Sequence, residues 1–251
     1  MRAMFTLTPP ESKRLIAKAT AKLDVVEDAM RDGLIIIFWG STTARVAEEI
    51  LGKEMEREKY LAGVIANGVT GAVPPEERLP VIVLEKGEPV DIPWREAIRK
   101  LSAGDVVIKG ANAIDPYGNV GILVGDREGG TMGATLPIIR ARGSYLVVPV
   151  GLEKFIPSLL DIDPTYGIDT MDISLGMPCG VITITQAITI TEVEALELLA
   201  DVEATPIAAG GLGDSQGSVV LVIEGVKEDV EKALEIVKAV KGERPLKVKV
   251  E

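Results

Sequence analysis

The sequence predicts an α/β fold: a mostly parallel β-sheet with helices on both faces, followed by a smaller α+β unit. Three observations carry this expectation. Apolar residues make up 47% of the chain and aromatics only 4%, so the interior must be built from Val, Ile, Leu and Ala, as in sheets covered by helices. Up to Gly176, short all-apolar runs alternate with polar loops and helical stretches, the pattern of βαβ connections. Beyond Gly176 the order of expected elements becomes β-α-β-β-α-β, the split βαβ or ferredoxin-like arrangement. With 251 residues the chain has room for two domains, and the change of pattern puts them at 1–177, a ligand-binding domain, and 178–251.

The elements follow in order. Over residues 10–31, Leu15, Ile16, Ala19, Leu23, Val26 and Met30 recur at three- and four-residue spacing, which predicts one amphipathic helix. Asp32-Gly33 ends it, and the apolar run 34–39 reads as a strand buried on both faces. Gly40, Ser41, Thr42 and Thr43 then open a second helix running through Ile50. Residues 60–66 form an apolar run that ends in Asn67-Gly68-Val69-Thr70-Gly71, and 81–84 is a further short strand. A helix is expected at 95–101, a strand at 105–109, a helix at 135–142 and a strand at 144–150. In the second unit, strands are expected at 181–189, 204–209 and 217–224, and a helix at 191–199. The helix at 227–240 shows a stripe of Val230, Ala233, Leu234, Val237 and Val240. A last strand at 246–250 reads as an edge whose lysines discourage stray pairing.

Charge and rare residues narrow the function. Against 38 Asp and Glu stand 27 Lys and Arg, a formal charge of −11, which repels nucleic acid and anionic membrane surfaces. Small anions remain admissible, because unpaired amides at helix starts create local positive potential. The chain has no His, which removes Ser-His-Asp and Cys-His catalysis and the commonest zinc sets. The lone Cys179 cannot form an intrachain disulfide. With no signal-peptide pattern and no long apolar run, a soluble cytoplasmic protein is the expectation. The sequence identifies neither a cofactor nor a metal site.

Three loops carry candidate chemistry, each with a structural alternative. Gly40, Ser41, Thr42 and Thr43, between a buried strand and a helix start, suit a phosphate; they equally suit an ordinary N-cap. No Gly-Lys-Ser/Thr ending makes them a Walker loop. Asn67, Gly68 and Thr70 would lie at the same carboxyl edge of a parallel sheet, where ligands of open α/β sheets bind, or form a plain Asn-Gly turn. The third loop, 109–133, is rich in Gly. There Lys109 would neutralise an anion, Asn112 would read a hydroxyl, and Asp115 or Glu128 would move a proton, while "DPYG" alone reads as a type I turn.

The segments "DGLIIIFWGSTTARVAEEI", "GDVVIKGANAIDPYGNVG" and "YLVVPVGLEKFIP" together resemble the superfamily of ribose-5-phosphate isomerase A, glucosamine-6-phosphate deaminase and the coenzyme A transferases. The resemblance implies a Rossmann-like sheet whose ligand, a phosphorylated sugar or a thioester, sits over the strand ends. It places the isomerase's phosphate loop on residues 40–43 and its acidic motif on Lys109-Gly110-Ala111-Asn112-Ala113, so Lys109 and Asn112 stand where the isomerase has acids. The transferases' Asp, x, x, Gly, Asn pattern falls on Asp115, Gly118 and Asn119. A ferredoxin-like lobe mediates oligomer contacts in such isomerases, so the resemblance also implies a homo-oligomer. The expectation is a binder of a small phosphorylated or thioester metabolite, either an isomerase-, deaminase- or transferase-like enzyme or a non-catalytic sensor or structural subunit on the same scaffold.

Overall fold

The computed structural model describes residues 1–248. The chain begins with a strand, β1 (Arg2–Leu7), followed by α1 (Pro9–Thr20) and α2 (Asp24–Asp32). The single helix expected over 10–31 is therefore two, because its apolar residues serve two cores. Leu15, Ile16 and Ala19 pack toward the C-terminal elements, whereas Val26 and Ala29 pack on the parallel sheet. One straight helix cannot aim a stripe at both, and the chain bends at Leu23, whose backbone is extended.

The central sheet begins with β2 (Leu34–Ile37), which leads into α3 (Ser41–Leu51). A hairpin of β3 (Gly63–Ala66) and β4 (Val69–Ala72) follows, then β5 (Ile82–Glu85), β6 (Glu88–Pro89), α4 (Trp94–Lys100) and β7 (Val106–Ile108). Next come β8 (Ala113–Ile114), β9 (Val120–Val124), α5 (Gly130–Arg142) and β10 (Tyr145–Pro149). The remaining elements are β11 (Gly180–Ile184), β12 (Ile188–Ile190), α6 (Glu192–Ala200), β13 (Glu203–Gly210), β14 (Ser218–Glu224) and α7 (Lys227–Val240).

Six strands form the main sheet in the order β12-β10-β7-β2-β5-β6. The first four run parallel, and β5 and β6 add antiparallel neighbours at one side. Alternation along β2 divides its side chains between two layers. Ile35 and Ile37 face α1, α2 and α3 with Val106, Ile108 and Val147; Ile36 and Phe38 face α4 and α5 with Val107 and Val148. Helices thus cover both faces, as the continuous apolar runs require. The buried Asp105 carboxylate fixes the entry to this sheet: it accepts from Leu34 N at 2.8 Å, Ser102 N at 2.6 Å and Ser102 Oγ at 3.0 Å.

The C-terminal elements depart from the expected order. The run 181–189 is two strands in two sheets: β11 pairs antiparallel with β9, and β12 pairs parallel with β10. The place beside β14 is taken by β1, giving a three-stranded antiparallel sheet β1-β14-β13 against which α1, α6 and α7 pack through Leu15, Leu196, Val230 and Val237. Residues 246–248 are irregular, and the rest of the expected strand at 246–250 lies outside the described residues. Among the described residues no helix is long and apolar enough to cross a membrane.

The 60–66 run also departs from expectation. Tyr60 is buried under the main sheet, its hydroxyl donating to Ile37 O, and β3 pairs only with β4. Asn67 (φ 54°) and Gly68 (φ 78°) make the hairpin turn, a backbone that Asn-Gly adopts with little strain. The hairpin is therefore not part of the parallel sheet, and a different contact positions it. Thr70 Oγ1 donates to Met177 O at 2.7 Å, and Met177 N donates to Thr70 O at 2.8 Å.

Candidate functional site

A cavity of about 440 Å³ opens beside the carboxyl ends of β2 and β7. Trp39 follows β2 and Lys109 follows β7; the β3–β4 hairpin, the outer end of β9 and the first turn of α5 close the other sides. This is the edge of an open α/β sheet where loops diverge and leave room for a ligand.

The cavity carries positive charge in an acidic protein. Arg78, Arg95 and Lys109 line it, against the single carboxylate of Asp126. That carboxylate is engaged, accepting from Glu128 N at 2.8 Å and Gly130 N at 3.2 Å. The Arg78 guanidinium lies 5.6 Å from the centre of the Trp39 ring, and that of Arg95 lies 4.5 Å from the Trp94 ring, within cation–π range. Both rings are fixed: Trp39 Nε1 donates to Leu79 O at 2.7 Å, and Trp94 meets Phe38 edge-on at 5.5 Å. The arginines are thereby oriented on rigid aromatic supports.

Backbone donors add to this. Gly129 (φ 79°) at the N-cap of α5 brings no side chain of its own; Asp126 takes the Gly130 amide, and the next first-turn amides, of Thr131 and Met132, both in the cavity wall, are available to an anion. Gly129 suits this turn because a Cβ there would meet Gly133 Cα at 2.9 Å. Asn112 is held by Leu123 N, which donates to its Oδ1 at 3.0 Å, leaving its amide N–H groups for a ligand.

Lys109 Nζ donates to Trp39 O at 3.2 Å. Burial, helped by the neighbouring Lys154 ammonium, pushes its pKa down to about 8. Lys154 is itself anchored, donating to Ala111 O at 2.7 Å.

The structure brings Thr70, Lys109 and Asn112 together in the cavity wall and places the other candidates elsewhere. Gly40, Ser41, Thr42 and Thr43 start α3 outside the cavity wall, and some of their polar groups are used internally. Thr43 Oγ1 donates to Phe38 O at 2.6 Å, and Ser41 O accepts from Arg45 at 2.8 Å. Asn67 and Gly68 are the exposed hairpin turn. Asp115 is buried and organises its loop, accepting from Asn119 Nδ2 at 2.9 Å, Leu159 N at 3.1 Å and Tyr117 N at 3.0 Å. Burial alone would raise its pKa, but these hydrogen bonds hold it below the ordinary carboxylate value. Glu128 is exposed on the approach to α5. Cys179 lines the cavity, its thiol pKa raised by burial.

No family model, curated protein or solved structure matches the chain.

Sequence reasoning missed Arg78, Arg95, Trp39 and Trp94. A signal was present, since the chain has only two Trp and both end up in this cavity, each under an arginine. It also missed a buried polar cluster at the carboxyl ends of β10 and β12. Lys13 Nζ lies 3.7 Å from Glu153 Oε1, and burial with the nearby Lys154 lowers its pKa to about 8. Glu192 is fully buried, and burial followed by the Glu153 charge raises its pKa to about 7. Among the described residues no group of three or more His, Cys, Asp or Glu side chains is placed to hold a metal.

Proposed function

We propose that the protein binds a small phosphorylated metabolite in the cavity beside β2 and β7. The observation that supports this is the convergence of Arg78, Arg95 and Lys109 with the open Thr131 and Met132 amides of α5 on one concave space. A phosphoryl group takes charge-assisted hydrogen bonds from guanidinium and backbone N–H donors. Trp39 and Trp94 offer flat apolar faces to the rest of the molecule, and Asn112 and Thr131 offer hydrogen bonds to hydroxyls. The volume of about 440 Å³ suits a ligand of metabolite size. Such a ligand agrees with the sugar phosphates implied by the family resemblance, although it sits on α5 and not on residues 40–43.

The binding reading is tested by thermal shift and calorimetry with inorganic phosphate, sugar phosphates and coenzyme A esters. A phosphorylated ligand raises Tm in the wild type, and Arg78→Ala or Arg95→Ala weakens its binding by about ten- to a hundredfold, each removing an ionic hydrogen bond of about 1.5–3 kcal/mol. Ser41→Ala with Thr42→Ala leaves binding unchanged. Loss of binding in that double variant, with both arginine variants unaffected, would return the site to the start of α3.

A further inference from the structure

Lys109 is an unusual anchor for an anion. Among the described residues it has no carboxylate within 4.0 Å, and Arg78 and Arg95 already bring permanent charge to the same cavity.

 The ion pairs of the described residues involve other cations and leave Lys109 out. Its one hydrogen bond goes to a neutral carbonyl, Trp39 O, and the charged group closest in influence is the like-charged Lys154. These surroundings disfavour an ammonium and favour a free amine, whose lone pair is a nucleophile.

We propose that Lys109 condenses with the carbonyl carbon of an anionic aldehyde or ketone held in the cavity and forms an imine. The inference rests on the anion-binding reading above, since Arg78, Arg95 and the start of α5 would hold the anionic end while the carbonyl faces Lys109. The Nζ lone pair attacks the carbonyl carbon, and the carbonyl π pair moves to oxygen. The carbinolamine then loses water, so both amine protons leave with that oxygen: R₂C=O and H₂N–Lys109 give R₂C=N–Lys109 and H₂O. No oxidant or reductant is needed. The free amide N–H of Asn112, whose Oδ1 is occupied by Leu123 N, is available to the carbonyl oxygen as it gains charge.

The reactivity has a size. With a pKa of about 8, about 10% of Lys109 is neutral at pH 7, against about 0.03% of an unperturbed lysine. Reductive trapping therefore selects Lys109 over exposed lysines such as Lys53, Lys86, Lys100 and Lys227.

The full chain is incubated at pH 7 with equimolar pyridoxal 5′-phosphate, an aldehyde carrying a phosphate, reduced with cyanoborohydride, and mapped by mass spectrometry. The expected result is one adduct per chain, on Lys109, and none at position 109 in Lys109→Arg. Adducts spread over exposed lysines with none on Lys109 overturn the imine; if inorganic phosphate still binds and Arg78→Ala weakens it, the anion reading survives that failure. Labelling of Lys109 by the neutral aldehyde propanal as readily as by pyridoxal 5′-phosphate, without competition from phosphate, supports the nucleophile and removes the anion reading.

Discussion

Replacing Lys109 by Met should make the protein more stable, and the gain should fade at high pH. The side chain keeps its length and loses its charge. Burial lowers the Lys109 pKa from 10.5 to about 8, and at about 1.4 kcal/mol per pH unit this means that holding the ammonium in the fold costs about 3 kcal/mol. The unfolded chain binds more protons than the folded one between these two values, so wild-type stability rises with pH across that window, and the full deficit applies below about pH 8. At pH 10 about 1 kcal/mol of the deficit is left. The substitution also removes the hydrogen bond to Trp39 O, a loss of about 1 kcal/mol at either pH. The net expectation is a gain of about 2 kcal/mol at pH 7 and about none at pH 10. Urea denaturation of both proteins at the two pH values measures it, with the other lysines cancelling in the comparison. A Met variant less stable than wild type at pH 7, or one with the same difference at both pH values, would refute a strained, binding-site lysine and make Lys109 a structural one.

Three further outcomes test the surroundings of the cavity. Burial and Glu153 raise the Glu192 pKa from 4.5 to about 7, so its ionisation destabilises the fold as pH rises through that window; Glu192→Gln should gain up to about 3 kcal/mol in urea denaturation at pH 8 and nothing at pH 4. Gly176 has φ 108°, and a Cβ there would sit 2.6 Å from Thr70 O, so Gly176→Ala should cost about 1–3 kcal/mol and speed hydrogen exchange at the Met177 amide, which now donates to Thr70. Glu243 accepts from Arg14 at 3.0 Å, Arg45 at 3.2 Å and Arg57, so Glu243→Gln should cost about 3–5 kcal/mol by leaving buried guanidinium charge unbalanced, read as a fall in the urea midpoint.

The parts of the fold that can be read from the sequence are those where one local pattern has one structural outcome. The runs that became β2, β7 and β10 are apolar at every position because both faces of a covered sheet are dry, and no other placement accommodates such runs. The stripe of Val230, Ala233, Val237 and Val240 likewise has one use, and α7 buries it. Where a pattern was weak or had two uses, the reading failed. In β1 only Ala3, Phe5 and Leu7 turn inward, three residues of alternation that become meaningful only beside β14. The run 181–189 is uniformly strand-like, yet nothing local tells that its two ends join different sheets.

The candidate site divides along the same line. Lys109 and Asn112 could be found because they follow an apolar run, and loops after parallel strands share one edge of the sheet; Thr70 reaches the cavity differently, on a separate hairpin held by Met177. Arg78 and Arg95 come from segments that reach the cavity by tertiary packing; Arg78 is held by donating to Val73 O and lies over Trp39, a ring from another part of the fold, whereas Arg95 lies over its neighbour Trp94. The polar start of α3 has the composition of an anion site; the hydroxyl of Thr43 is spent on Phe38 O, and the loop lies outside the wall of this cavity. At α5 the reverse holds: Gly129 and Gly130 bring no side-chain chemistry, Asp126 takes only the Gly130 amide of the first turn, and the amides of Thr131 and Met132 remain open to the cavity. An anion site built from unoccupied backbone donors is least visible where it is most available, and the charge that completes it arrives from outside the segment. A net charge of −11 sharpens the contrast: on an acidic protein, Arg78, Arg95 and Lys109 converge on one concave space and give it a locally positive potential.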